Sequence, residues 1–282
     1  MKDEENCGVW GGNKVRKLEH ILYGLRSGGV VHLVAWGAAT SNWVAACAWH
    51  GTANGFRVRA GLGGRLPHTY RAIYERSDTH VTLLPRIELS PVAAGIALGR
   101  AGPRARLLPV GGSGGVGDLG AARAGAEIAA AVDRGAMPGP ARIYVAAGSC
   151  GTAAGIAVGL ASEGLRLPVT AVKVADWPYA TRSMLARRVR SLQRNLGSNE
   201  IAAPAVTIEL ETRFLGRGYG RPTPESRAAS ALAQLDGVHL ESTYAAKAFA
   251  ALIDRARVTE GPYLFVNTSP GAPPVSVQSE GP

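Results

Sequence analysis

Ile143-Tyr144-Val145-Ala146-Ala147-Gly148-Ser149-Cys150-Gly151-Thr152-Ala153-Ala154-Gly155 is the stretch that decides the fold. Five residues of strand character run into a glycine-rich turn, and an apolar helical pattern opens at Gly151. A strand that passes through a glycine turn into a helix start offers backbone N–H groups and a positive dipole end to a phosphate. The turn therefore predicts α/β layering and an anion cup made by Gly148, Ser149, Cys150, Gly151 and Thr152. Cys150 is there either a thiol whose pKa the same helix field lowers or simply a small residue whose N–H faces the anion.

Downstream, strand-like segments recur at Val169–Val174 and Leu264–Val266, with helical patterns at Gly151–Ser162, Ala180–Leu196, Glu225–Leu235 and Tyr244–Arg255. Upstream, Leu18, Ile21, Leu22 and Leu25 line one face of a helix that ends near Gly28-Gly29. Val30–Trp36 and Phe56–Leu62 read as short, mostly apolar strands of a covered parallel sheet, joined through a helix over Val44–Trp49. The cluster Gly111-Gly112-Ser113-Gly114-Gly115-Val116-Gly117 separates the two runs. The segment from Pro270 to Pro282, rich in proline, glycine and serine, reads as loose coil.

The second chemical signal is Gly11-Gly12-Asn13-Lys14-Val15-Arg16-Lys17-Leu18-Glu19. Lys14 follows two glycines and an asparagine and opens a helix, so its amine sits at a loop-to-helix junction where it can face a cavity. Most lysines near a helix start are plain surface charges; the independent phosphate signal separates this one from them. An amine nucleophile plus a phosphate cup points to a phosphate-bearing carbonyl cofactor held as a Schiff base, pyridoxal 5'-phosphate. Thr40-Ser41-Asn42 lies on the turn after a strand: Ser41 is an N-cap, or, if the turn faces Lys14, a contact for a substrate carboxylate or a proton relay.

Composition excludes several classes. Hydrophobic residues make up 46% and charged residues 18%, which is a globular mixture and not a disordered one. No stretch reaches the roughly 18 uninterrupted apolar residues of a membrane helix, and the acidic Met1-Lys2-Asp3-Glu4-Glu5 is the wrong start for a secretory signal. The excess of 31 Lys and Arg over 21 Asp and Glu is largely arginine on helices, as at Arg182, Arg187, Arg188, Arg190 and Arg194. Aromatic residues are not interleaved with it, so a solvated helix face is expected and no nucleic acid. Three cysteines (Cys7, Cys47, Cys150) and six scattered histidines show no metal-ligand spacing, and a reducing cytoplasm is the expected setting.

These motifs, with Gly218-Tyr219-Gly220-Arg221-Pro222, Thr243-Tyr244-Ala245-Ala246-Lys247-Ala248 and Val266-Asn267-Thr268, follow in an order that resembles the family of 1-aminocyclopropane-1-carboxylate deaminase and D-cysteine desulfhydrase. The resemblance covers nearly the whole chain. It implies the tryptophan-synthase β-like fold (type II of the pyridoxal-phosphate enzymes): two open parallel-sheet lobes with helices on both faces. Residues 1–17 and 114–282 would form a large cofactor-binding domain, and 18–113 a small domain closing over the substrate. It also implies a homodimer and a lyase or deaminase acting on a small amino acid by β-elimination.

Roles carry over by position. Lys14 would bind the cofactor and then move the Cα proton, with Asn13 on the cofactor's 3'-oxygen. The amides of Cys150, Gly151 and Thr152, with the Thr152 hydroxyl, would hold the phosphate. Ser41, Asn42 and Trp43 would meet the substrate, Ser41 also serving as a proton relay. Tyr219 and Tyr244 match two family tyrosines on the substrate side. Thr268 would sit at the pyridine nitrogen, where a neutral hydroxyl favours elimination over transamination.

Four departures sharpen the expectation. Ala245 stands where the deaminases carry glutamate and the desulfhydrases threonine, which argues against cyclopropane opening. Trp43 replaces a glutamine or histidine and would narrow the pocket, and Cys150 replaces a glycine. The family also has a few dozen more residues before the lysine motif, so a misassigned start or a trimmed member is expected. The alternatives are a β-replacement enzyme and a degenerate member that binds the cofactor without turnover. A serine hydrolase built on Gly111-Gly112-Ser113-Gly114-Gly115 is a further one, with His239 its only downstream histidine.

Overall fold

The computed structural model describes residues 1–4, 10, 12–196 and 206–269. In chain order its elements are β1 (Lys2–Asp3), α1 (Asn13–Ser27), β2 (His32–Ala38), α2 (Asn42–Ala53), β3 (Arg57–Gly63), α3 (His68–Arg76), β4 (His80–Leu84), α4 (Ser90–Gly99) and β5 (Ala105–Leu107). They continue with α5 (Leu119–Asp133), β6 (Arg142–Ala147), α6 (Gly151–Ser162), β7 (Val169–Lys173), α7 (Arg182–Asn195), β8 (Ile208–Glu211), α8 (Pro224–Leu235), α9 (Ala245–Ala256) and β9 (Tyr263–Asn267). Two packing units emerge: the N-terminal residues with 113–269, and the intervening stretch up to Gly112.

In the first unit five parallel strands are ordered β1-β9-β6-β7-β8. Strand alternation divides β6 between two cores. Ile143, Val145 and Ala147 pack with α5, α6 and α7, whereas Tyr144 and Ala146 pack with Phe265 and the alanine faces of α8 and α9. The sheet is thus covered on both faces, as its near-continuous apolar strands require. Local chemistry sets the helix starts. Thr181 accepts the Met184 N–H at 3.1 Å, and Thr223 and Ser226 form a reciprocal capping box ahead of α8.

Helix α6 approaches α5 closely because glycines face the contact. A Cβ on Gly155 would lie 2.4 Å from the Ala121 Cβ, and one on Gly159 only 1.9 Å from the Ala122 carbonyl oxygen. No side chain larger than hydrogen fits there, so the position of α6 is set by backbone against backbone.

In the second unit four parallel strands are ordered β4-β3-β2-β5. Leu18, Leu22, Val44, Cys47, Ile73 and Tyr74 belong to the core of α1, α2 and α3, and α4 packs on the strands with Ala97 against Val34. The expected α/β architecture with two parallel sheets is therefore what this chain forms. Helix α7 begins two residues later than expected, because Ala180 turns left-handed (φ 47°) and Thr181 caps the helix behind it. The coil expected from Pro270 to Pro282 lies outside the described residues, as do Gly11 of the lysine motif and Cys7.

Candidate active site

In the first unit the predicted residues collect at the carboxyl ends of the parallel strands, where open α/β sheets bind ligands. Gly148–Thr152 follow β6 and Thr268 follows β9, its neighbour on the side where the strand order reverses. Cys150 is the N-cap of α6, at φ 64°, ψ −9°, and makes no side-chain cap hydrogen bond. Its thiol belongs to the apolar core with Ala153, Ala154 and Leu185. The start of α6 is therefore formed by backbone groups and by Thr152, the arrangement an anion needs.

Ser149 is tied to the glycine segment: its hydroxyl lies 2.6 Å from that of Ser113. Ser113 is only 1% exposed, so the Gly-x-Ser-x-Gly pattern presents no nucleophile to solvent and the hydrolase alternative fails. A short 3-10 turn, Gly115–Asp118, follows it, not a strand-to-helix elbow.

Tyr219 and Tyr244 are far apart in sequence and adjacent in space. The Tyr244 hydroxyl donates to that of Tyr219 at 2.8 Å, and the rings meet edge to face with centroids 5.8 Å apart. Burial raises the Tyr219 pKa above its usual value; the hydrogen bond from Tyr244 opposes that, and the Glu241 charge adds to it. The Tyr244 ring also closes on the glycine turn before α6, its Cε1 3.5 Å from where a Gly148 Cβ would stand. A hydroxyl pair thus borders that turn.

Glu241, which the sequence reading passed over, holds Tyr244 in place. Its carboxylate accepts the N–H groups of Thr243, Tyr244 and Ala245 at 2.7 to 2.8 Å, standing in for the helix partners that the first turn of α9 lacks. An acidic residue four before a helix start was the available signal. At the end of β9, Asn267 is fully buried between Asp3 and the Ser269 N–H. Thr268 is half-buried. Ser269, also unforeseen, has a hydroxyl that is buried without a hydrogen-bond partner among the described residues.

In the second unit Asn13 and Lys14 open α1 behind Gly12, whose φ of 60° is open to glycine without strain. Asn13 is buried and Lys14 half-buried. Lys14 reaches toward α2: burial pushes the Cys47 thiol pKa well up, and the Lys14 charge pulls against it. Three residues on, Lys17 is 1% exposed and donates to the Gly111 carbonyl at 3.2 Å. Its i, i+4 spacing from Ile21, a residue of the apolar face, was the only sequence clue.

Ser41 is the N-cap of α2, accepting the Val44 N–H at a long 3.5 Å. Asn42 receives the Tyr70 hydroxyl on Oδ1 at 2.7 Å, which leaves its amide N–H groups directed elsewhere. Trp43 lies buried with its ring against Gly112, whose Cβ would meet the indole at 2.5 Å. No group of three or more potential metal ligands occurs among the described residues. Nor is any described helix long and apolar enough to cross a membrane.

Pyridoxal phosphate suits these residues. In the first unit the start of α6 offers amides and a threonine hydroxyl to an anion, and the Ser269 hydroxyl is an orphaned donor near a strand end; in the second, Lys14 is a half-buried amine. The comparisons agree. A nocardicin C-9' epimerase from Nocardia uniformis subsp. tsuyamanensis is 35% identical over 95% of this chain and 84% of its own length. A D-cysteine desulfhydrase from Klebsiella pneumoniae (strain 342) is 33% identical over 96% of this chain and 86% of its own. A crystal structure described as an ACC deaminase homologue superposes with a TM-score of 0.80 at 27% identity, covering 94% of this chain and 82% of the other. A fungal L-serine ammonia-lyase from Rhizomucor miehei, at 15% identity and a TM-score of 0.67, shares the fold. The profile described as "Pyridoxal-phosphate dependent enzyme" matches residues 2–269, and the chain belongs to that family.

Proposed function

We propose that this enzyme removes a β-substituent from a small amino acid, in the manner of a D-cysteine desulfhydrase. The observation that carries the reading is the Tyr219–Tyr244 hydroxyl pair lying against the phosphate turn, in a chain 33% identical to a D-cysteine desulfhydrase. When bound, pyridoxal phosphate supplies the electron sink for a carbanion at Cα. In this reading residues 1–17 act with 114–282 as the cofactor-binding domain, and 18–113 close over the substrate.

The chain's own residues do the rest. Gly148, Ser149, Cys150, Gly151 and Thr152 bind the phosphate, and Asn13 orients the ring through its 3'-oxygen. Lys14 provides the amine that holds the cofactor. When its amine is free, Lys14 would take the Cα proton as a base. Ser41 and Asn42 bind the substrate carboxylate, the Asn42 amide being oriented by Tyr70. Trp43 backs that turn. The Tyr219–Tyr244 pair delivers a proton to the departing sulfur, and Thr268 meets the pyridine nitrogen with a neutral hydroxyl. We also propose a homodimer working in the cytoplasm; Cys47 and Cys150 are both buried, as a reducing compartment allows.

Incubation with pyridoxal phosphate and D-cysteine should release sulfide, pyruvate and ammonia in equal amounts. Lys14→Ala should remove both turnover and the visible absorbance of lysine-bound cofactor. Absorbance that survives Lys14→Ala overturns the role of Lys14; a loaded enzyme that eliminates from neither D- nor L-cysteine overturns the reaction. A second reading rests on the 35% identity to an epimerase. Inversion at Cα with uptake of solvent deuterium and no keto acid would establish it.

A further inference from the structure

Lys247 is 0% exposed, yet it is a lysine. It projects from α9 three residues after Tyr244, and its Nζ donates to the carbonyl oxygens of Leu215 at 2.8 Å and Gly218 at 3.1 Å. An ammonium taken wholly out of water is costly unless its protons are used, and here two of them close a turn. The backbone's own closure is long, the Arg221 N–H reaching the Gly218 carbonyl at 3.4 Å, and Gly216 (φ 65°) and Gly218 (φ 119°) take conformations that favour glycine.

The residue after that turn is Tyr219. Its N–H donates to Asp176 Oδ2 at 2.9 Å, on the loop after β7. The carboxylate oxygens lie 2.9 and 3.0 Å from where a Gly218 Cβ would stand, and the φ of 119° strains any residue but glycine. The single peptide unit between Gly218 and Tyr219 is therefore gripped at both ends, its C=O by a cation and its N–H by an anion. Burial lowers the Lys247 pKa below the ordinary lysine value, and the charges of Asp176 and Glu241 pull the other way. Glu241 in turn accepts the three amides around Tyr244.

We propose that Lys247 and Asp176 are positioning residues: they clamp the Gly218–Tyr219 peptide, and with Glu241 on the other side they preset the 2.8 Å contact between the Tyr219 and Tyr244 hydroxyls. Neither residue need touch substrate. The inference rests on the reading that the tyrosine pair works in the reaction, but the clamp itself is independent of it. Its physical point is economy of motion. Hydroxyls that must hand over a proton lose about a hundredfold in rate when displaced by about 1 Å. Tyr219, on a turn between Gly218 and Gly220, depends on a tied backbone to hold its hydroxyl in place.

The test uses the whole chain loaded with pyridoxal phosphate, in the variants Lys247→Met, Asp176→Ala and Asp176→Asn. Amide hydrogen exchange reads the clamp without any turnover. Lys247→Met and Asp176→Ala should lose protection across 215–220 while α5 and α6 keep theirs. Asp176→Asn, which retains an acceptor oxygen, should restore most of it. With D-cysteine as the probe, kcat should fall about tenfold to a hundredfold and KM should change little, since the substrate's own contacts lie elsewhere. Unchanged protection at 215–220 in Lys247→Met would overturn the proposal. So would a loss spread evenly over α5 and α6, which would make Lys247 a general stabiliser. Tyr219→Phe and Tyr244→Phe at full turnover, with the clamp intact by exchange, would instead defeat the catalytic reading of the pair.

Discussion

Replacing Gly159 by alanine tests whether the anion cup is placed by backbone packing. The added Cβ would stand 1.9 Å from the Ala122 carbonyl oxygen and 2.8 Å from its carbon. Ordinary contact begins near 3.4 Å, so α6 and α5 must part by about 1.5 Å, and no side chain can yield because the obstacle is main chain. Overpacking of this kind costs about 1–3 kcal/mol, and rigid backbone on both sides argues for the upper end. Alanine returns about 1 kcal/mol of helix propensity, leaving a net loss of about 2 kcal/mol. For a domain of this size that is a fall in Tm of about 4–8 °C.

The same displacement carries Gly151 and Thr152 with the helix, so affinity for pyridoxal phosphate should fall together with Tm. Gly95→Ala in α4 is the control, because nothing lies within 4 Å of its added Cβ. That variant should gain about 1 kcal/mol and leave cofactor affinity alone. Thermal melts of the cofactor-free protein and a fluorescence titration with cofactor measure both effects. A Gly159→Ala melt within about 1 °C of the parent would refute the reasoning, since propensity alone would then decide the sign.

Cys150→Gly should change stability by less than about 1 kcal/mol, relief of the left-handed backbone offsetting the buried thiol that is lost. Cofactor affinity should hold as well; a marked drop in the same titration would mean that the thiol contacts the ligand. His32 has its pKa lowered from the ordinary 6.5, first by burial and then by Arg57, Arg59 and Arg104. Between that lowered value and 6.5 the unfolded chain binds more protons, so stability rises with pH through the window and is lost on acidification. His32→Asn should flatten the dependence, read as urea midpoints across the acid range; an unchanged slope would show that another group carries it.

How far the site was legible follows from the range over which each residue's partners lie. The strand, turn and helix from Ile143 to Ser162 were readable because apolar runs and glycine spacing are local signals. Strand β8 was not. Its Ile208-Glu209-Leu210-Glu211 alternates as a half-exposed edge, and that short pattern looks like a connecting loop until it pairs with β7. Strands β4 and β5 were missed for the same reason: each lies at a sheet edge, and β5 has only three residues. Tyr219 and Tyr244 could be marked individually, but their hydroxyl contact spans 25 residues of chain and no window contains it.

By itself the sequence determined the layering, the glycine turn that opens α6, the lysine at the head of α1 and the cofactor those two features call for. These depend on periodicity, on glycine's freedom at positive φ and on the chemistry of an amine, all of which act within a few residues. Tertiary structure alone decided which charges are buried. Lys17 and Lys247 appeared in the sequence only as members of longer motifs, and they become internal ties when the carbonyls of Gly111 and of the Leu215–Gly218 turn reach them. Burying a charge requires partners drawn from distant parts of the chain, and folding alone brings those partners within reach.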